Sequence, residues 1–134
     1  MAGTVKLEVS YFARDIDALT TFYTKLFDLQ TIDAVASSIY RAVDFHGTRL
    51  GIHDFKAYDL LEIGGRKMKG VAPKPVSAYI TCNVGSREEL DARLAQALQL
   101  GARVLKEPYI SYYNAYQVVL ADPEDNMFRI NFQM

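Results

Sequence analysis

The chain has 134 residues, half of them hydrophobic and 23% charged. This length and composition suit one or two small modules that share a buried core rather than separate domains. The formal net charge is −1, which excludes the strongly basic surface typical of nucleic-acid-binding proteins and of proteins that bind acidic membranes.

The single cysteine, Cys82, cannot form an intramolecular disulfide, which suits a reducing compartment. It lies within a strand pattern on the side expected to face a helix, so we interpret it as a core residue and not a nucleophile. The first residues, MAGTVK, lack the apolar core of a signal peptide, and no apolar run has transmembrane length. We therefore expect a cytoplasmic protein with no membrane partner.

In the first half, residues 6–12 alternate and predict a half-buried strand, with Leu7, Val9 and Tyr11 on one face. Asp15 is a suitable N-cap for an amphipathic helix that follows it. Two strand patterns come next, at 38–45 and 49–53, separated by a turn at His46-Gly47. Residues 55–61 favour a short helix.

Glycines and prolines concentrate at 63–75, which we interpret as a linker. A strand pattern at 76–84 follows it. Ser86 and Glu89 have the spacing of a capping box, and Gly101 is the expected end of the helix. The remaining patterns predict a strand at 102–106 ended by Glu107-Pro108, a strand at 116–121, a turn at 122–126 and a strand at 127–132.

The helical pattern of the first half recurs 71 residues later, where Leu19, Tyr23 and Phe27 become Leu90, Leu94 and Leu98. Each copy follows an extended run and precedes further strands. The sequence therefore predicts an α+β fold made of two βαβββ modules, 4–62 and 76–134, within a single domain 1–134.

Three segments resemble motifs of the vicinal oxygen chelate superfamily, which includes glyoxalase I, bleomycin resistance proteins, fosfomycin resistance enzymes and extradiol dioxygenases. They are FYTKLFDL at 22–29, GARV at 101–104 and DPEDN at 122–126. The resemblance covers residues 4–134. It implies that the strands of each module curl into half of a cup, that ligands bind inside, and that two modules complete the cup within one chain or between subunits.

Metal-dependent members of this superfamily place one ligand on each of four strands. The equivalent positions here are Glu8, either Gly51 or His53, Tyr79 and Arg129. A phenol must lose its proton to bind a divalent ion, and arginine has a permanent positive charge and no free electron pair. We therefore predict no metal site and no cofactor, with a divalent metal as the alternative.

The candidate ligand-binding residues are those that the resemblance places inside the cup. Arg129 could hold a ligand carboxylate or phosphate, or it could form an ion pair with Glu8. Tyrosines 109, 112, 113 and 116 could line the mouth of the cup, or cover the core or a dimer interface. No catalytic residue is identified. The full candidate set is Glu8, Ser10, His53, Tyr79, Tyr113, Arg129 and Asn131.

These observations favour a homodimeric protein that binds a small organic ligand in the cup without metal. One alternative is a metal-dependent lyase or dioxygenase that uses Glu8 and His53. The other is a dimeric interaction module with no small ligand. The sequence does not name the ligand or a reaction.

Overall fold

A computed structural model describes residues 3–69 and 72–134. The chain forms two compact units that divide between Lys67 and Met68. This division falls in the predicted linker 63–75, of which Gly70 and Val71 lie outside the described residues. Within the described ranges, no helix is both long enough and apolar enough to cross a membrane.

The first unit has a four-stranded sheet in the order β1-β4-β3-β2. Strands β1 and β4 are parallel, and the other neighbouring pairs are antiparallel. The helix α1 connects β1 to β2, and short helices lie beside β3 and follow β4. The elements are β1 (Glu8–Ala13), α1 (Ile16–Phe27), β2 (Gln30–Thr31), a 3₁₀ turn (Asp33–Val35), β3 (Tyr40–Phe45), β4 (Thr48–Asp54), α2 (Ala57–Leu60) and a second 3₁₀ turn (Gly64–Arg66).

The second unit repeats this topology, with the strand order β5-β8-β7-β6. Its parallel pair is β5 with β8, and its other pairs are antiparallel. Both sheets are open and carry a long helix, which confirms the predicted α+β class and the two βαβββ modules. The elements are β5 (Ile80–Asn83), α3 (Arg87–Gln99), β6 (Arg103–Ile110), β7 (Ala115–Ala121) and β8 (Met127–Gln133).

Both long helices begin as the sequence predicts. The Asp15 carboxylate accepts a hydrogen bond from the Ala18 N–H at 2.9 Å, and the Ser86 hydroxyl accepts one from the Glu89 N–H at 3.0 Å. Each satisfies a backbone donor that the first turn of a helix leaves unpaired. Gly101 follows α3 with a φ of 104°, a conformation that glycine adopts without strain.

The pleat of each sheet separates its side chains into two faces. In the first unit Tyr11 and Phe45 contact Tyr23 of α1, so their face is the one covered by the helix. In the second unit Tyr116 hydrogen-bonds to Asp91 of α3. We call the opposite side of each sheet its distal face; it carries Ser10, Gly51 and His53 in the first unit and Thr81, Gln117 and Arg129 in the second.

Cys82 lies on the helix-covered face, opposite Ile130 in the register of β5 and β8. Its side chain is buried, which confirms that it is a core residue. Burial raises the pKa of its thiol to about 12, because the thiolate would lose its hydration. The thiol is therefore protonated at neutral pH and is a poor nucleophile.

Four details of the strand prediction were wrong. Leu7 precedes β1 and is 77% exposed, so it is not part of the half-buried face. The two-residue β2 was too short to give an alternating pattern. The strand predicted at 76–84 begins only at Ile80, where its pairing with β8 starts opposite Phe128.

The fourth error concerns Pro108, which does not end the strand. β6 continues to Ile110, with register irregularities on both sides of Lys106. It is an edge strand, where a residue without an N–H donor is tolerated because one side of the backbone has no neighbour to bond.

Candidate functional site

The distal face of the first sheet carries three of the predicted site residues. Parallel pairing places Glu8 beside Arg49, Ser10 beside Gly51, and Phe12 beside His53. Glu8, Ser10 and His53 therefore point to the same side. The alternation of residues 6–12 predicted this for Glu8 and Ser10.

Glu8 forms an ion pair with its register neighbour, with 3.5 Å between the carboxylate and Nε of Arg49. The sequence analysis offered Arg129 as the ion-pair partner of Glu8. In the structure Glu8 pairs with Arg49, a residue of its own unit. The Glu8 side chain is 52% exposed, so the pair is screened by water and contributes little to stability.

Gly51 lies beneath the side chains of its neighbours. A Cβ built at this position would be 2.7 Å from the Ser10 hydroxyl oxygen and 2.8 Å from the Tyr40 hydroxyl oxygen. These separations are shorter than real Cβ contacts. The two hydroxyl groups therefore occupy the space into which a side chain at position 51 would project.

His53 belongs to an aromatic cluster at the other end of this face. Its ring lies 5.5 Å from that of Phe12 and 4.9 Å from that of Tyr40, measured between centroids. Tyr58 of α2 stacks on Phe12 at 4.0 Å. Burial lowers the pKa of His53 from its usual value, because the cation is less well hydrated there than in water, so this environment favours the neutral imidazole.

The distal face of the second sheet centres on Arg129. Its Nε donates a hydrogen bond to the Thr81 hydroxyl at 3.2 Å, and its Nη1 donates to the Tyr113 hydroxyl at 2.9 Å. The guanidinium carbon lies 5.4 Å from the centre of the Tyr79 ring. In the described part of the second unit, no carboxylate pairs with this cation.

A chain of hydrogen bonds continues from Arg129 across the sheet. The Tyr113 hydroxyl donates to Oε1 of Gln117 at 2.8 Å, and Nε2 of Gln117 donates to the Tyr109 hydroxyl. Gln117 is 2% exposed, and this pairing satisfies a buried amide that would otherwise destabilise the fold. The ammonium of Lys106 lies 3.6 Å from the centre of the Tyr109 ring.

Asn131 lies beside Gln117 in the register of β7 and β8. Its amide nitrogen donates to Oδ1 of Asn83 at 3.0 Å. The side-chain oxygen of Asn131, Oδ1, is buried and has no hydrogen-bond partner among the described residues. An unpaired buried acceptor costs about 1–3 kcal/mol, and a ligand or water donor at this position would remove that cost.

The four tyrosines singled out in the sequence have different surroundings. Tyr109 and Tyr113 belong to the distal hydrogen-bond chain. Tyr116 is buried on the helix-covered face, where its hydrogen bond to Asp91 raises its pKa. Tyr112 is fully exposed. The structure thus brings Tyr79, Tyr113, Arg129 and Asn131 onto one face of one sheet.

The residues at the superfamily's metal positions do not form a suitable donor set. Arg129 offers N–H donors and a positive charge where a ligand atom is needed. Glu8 is already paired with Arg49. Within the residues that the structure describes, no three His, Cys, Asp or Glu side chains are grouped so that they could hold a metal ion.

The register also disfavours the pair Glu8 and His53 as joint metal ligands. Glu8 is level with Arg49, four residues before His53 on β4. Four residues of a strand span about 13 Å, whereas one ion bonds each ligand atom at about 2 Å.

Several residues that the sequence did not single out belong to the distal face of the second sheet, among them Gln117, Thr81 and Lys106. Gln117 is the one carboxamide within the otherwise apolar strand sequence AYQVVLA. An amide in such a strand must be hydrogen-bonded if it is buried, so its position could have indicated a hydrogen-bond network. Thr81 precedes Cys82, which was predicted to face the helix, so strand alternation would have placed Thr81 on the opposite, distal face. Lys106 was missed because the strand was predicted to end there.

Two open βαβββ sheets, each with a long helix on one face, define the class of protein. A family model described as a glyoxalase-like domain matches residues 7–131. The chain therefore belongs to the glyoxalase-like family, which confirms the resemblance to the vicinal oxygen chelate superfamily. No functionally curated protein in the comparison matches it.

Solved structures support this assignment. A glyoxalase/bleomycin resistance protein/dioxygenase family enzyme from Burkholderia phytofirmans is 33% identical, with a TM-score of 0.89, covering 95% of this chain and 97% of its own. A lactoylglutathione lyase from Agrobacterium tumefaciens is 16% identical, with a TM-score of 0.69, covering 98% and 96%. A fosfomycin resistance protein from Listeria monocytogenes is 14% identical, with a TM-score of 0.69, covering 100% and 93%. The last two share the fold.

The crowding around Gly51 leads to a stability prediction. We expect Gly51→Ala to lower the free energy of unfolding by about 1–3 kcal/mol, because the new methyl group forces its neighbours to move. In a Ser10→Ala background the cost should be smaller, since one of the two close oxygens is gone. Urea denaturation measures both effects.

Gly65→Ala is the matched control, because no atom lies within 4 Å of a Cβ built there. Equal costs at positions 51 and 65 would show that the contacts around Gly51 are not as close as the structure has them.

The burial of His53 predicts a pH dependence. Burial lowers its pKa in the folded state, so the unfolded chain binds the proton more readily. The stability linked to the neutral imidazole is therefore fully present above the unfolded-state pKa of about 6.5. This stability is lost as the pH falls. We expect the urea midpoint to fall more in the parent chain than in His53→Gln between about pH 7.5 and about pH 5.5.

His46→Asn, in the exposed turn between β3 and β4, provides a control and should follow the parent chain. If His53→Gln lost as much stability with falling pH as the parent, the imidazole would not be the group responsible.

Proposed function

We propose that this chain binds a small organic anion on the distal face of its second sheet, without a resident metal ion. Membership of the glyoxalase-like family gives the broad class, and the residues of this face suggest the finer function. The homodimer and the cytoplasmic location remain predictions from the sequence.

The proposal rests on one observation: the guanidinium of Arg129 is held in place by neutral hydroxyl groups rather than by a carboxylate. Its guanidinium is partly buried and is oriented by Thr81 and Tyr113, yet in the described part of its unit it has no anionic partner. A partly desolvated cation gains from an anion, and a guanidinium binds a carboxylate through two parallel hydrogen bonds. Its orientation therefore suits a ligand carboxylate or phosphate.

Aromatic rings beside Arg129 favour an organic ligand over an inorganic ion. Tyr79 is 44% exposed and Tyr113 is 40% exposed, so both rings have free surface beside the cation. A flat apolar group could stack on either ring while its carboxylate contacts the guanidinium.

Benzoate and benzamide are suitable probes, because they have the same shape and differ in charge. We expect benzoate to bind at least about tenfold more tightly than benzamide, a difference of about 1.4 kcal/mol, as measured by isothermal titration calorimetry. Arg129→Gln should remove most of this preference, since it removes the cation that distinguishes the two probes.

Arg66→Gln removes the same charge from an exposed residue and should leave the preference unchanged. Equal affinity for the two probes in the parent chain would contradict the proposal. The titration is repeated after dialysis against a chelator. Benzoate binding that disappears on chelation and returns with zinc, nickel or manganese would contradict the metal-free part.

A further inference from the structure

The proposed anion site has a second cation. β6, β7 and β8 align Lys106 with Val119, and Val119 with Arg129. The two cations therefore lie in one row across the sheet, separated by one strand. Neighbouring strands are about 4.8 Å apart, so the two Cα atoms are separated by about 10 Å.

Contacts show that Lys106 lies on the same face as Arg129. Its ammonium is over the ring of Tyr109, at 3.6 Å. The hydroxyl of Tyr109 accepts a hydrogen bond from Gln117, which Tyr113 links to Arg129. The two cations are thus the ends of one continuous network, with a fully buried amide at its centre.

In the described part of the second unit, no carboxylate forms an ion pair with Lys106 or with Arg129. On the first sheet, by contrast, Arg49 is paired with Glu8 and aligned with Asp44. The excess of positive charge is therefore a property of the second distal face.

We infer that this face selects a small organic ligand with two anionic groups, one bound by Arg129 and the other by Lys106. This inference rests on the proposed function and extends it from an organic anion to an organic dianion. The ring of Tyr109 beneath the ammonium holds Lys106 over the face, because a cation is attracted to an aromatic ring. Val119 between the cations leaves an apolar floor for the body of the ligand.

The test compares terephthalate with its monomethyl ester, which has the same ring and one charge fewer. We expect terephthalate to bind the parent chain at least about tenfold more tightly, a difference of about 1.4 kcal/mol, as measured by calorimetry. Lys106→Gln should reduce this ratio to below about threefold while leaving monomethyl terephthalate binding nearly unchanged. Lys106 is exposed, so the variant should fold, and circular dichroism checks this.

Lys56→Gln is the matched control, because it removes one exposed lysine from the first unit and should keep the full ratio. The preference for terephthalate should also weaken with added salt more than benzoate binding does, since it involves one more charge pair.

The two proposals fail in different ways. If benzoate binds through Arg129 but terephthalate and its ester bind equally, the dianion inference is wrong and the proposed function stands. A terephthalate preference that Lys106→Gln leaves intact would also overturn the inference. If none of these probes binds, both proposals are wrong.

Discussion

The alternation of side chains along β8 is the constraint on which the second unit depends. Phe128 and Ile130 are completely buried on the helix-covered face, and burial of two large apolar side chains contributes several kcal/mol. Arg129 and Asn131 must then point to the distal face. A shift of one residue in register would place the guanidinium in the core and expose Phe128 and Ile130 to the distal side. The same packing that stabilises the fold therefore orients the proposed ligand anchor.

The two modules share a topology but differ in the chemistry of their distal faces. The first has an ion pair, a glycine covered by two hydroxyl groups, and a cluster of aromatic rings around a neutral imidazole. The second has a network of tyrosines and carboxamides that ends in two cations. A repeated fold thus fixes which positions face away from the helix, and the side chains at those positions decide what each face can bind.

The sequence predicted the architecture well, because long amphipathic helices, capping residues and strand alternation are local properties. It also predicted that Arg129 and Asn131 share a face, since both follow from the apolar alternation of β8. It could not predict that Glu8 would pair with Arg49, because that depends on the parallel register of β1 and β4.

The network around Gln117 was missed for the same physical reason. Its partners Tyr109 and Tyr113 come from β6 and from the loop after it, and a single amide in an apolar strand does not show which side chains will satisfy it. Lys106 was missed because Pro108 suggested that the strand ends near this lysine. In the structure the edge strand β6 accommodates the proline and continues past it. Local alternation places Arg129 and Asn131 on the distal face, and long-range register decides which other side chains join them there.

The most direct test of the account is to observe the Arg129 side chain while an anion binds. In ¹H–¹⁵N spectra of metal-free protein, titration with benzoate should shift the Nε–H resonance of Arg129 together with the side-chain amide of Gln117, because the hydrogen-bond chain connects them. Both should follow the same binding curve. Saturable shifts confined to other parts of the chain, with the Arg129 and Gln117 resonances unmoved, would contradict the claim that Arg129 anchors the ligand.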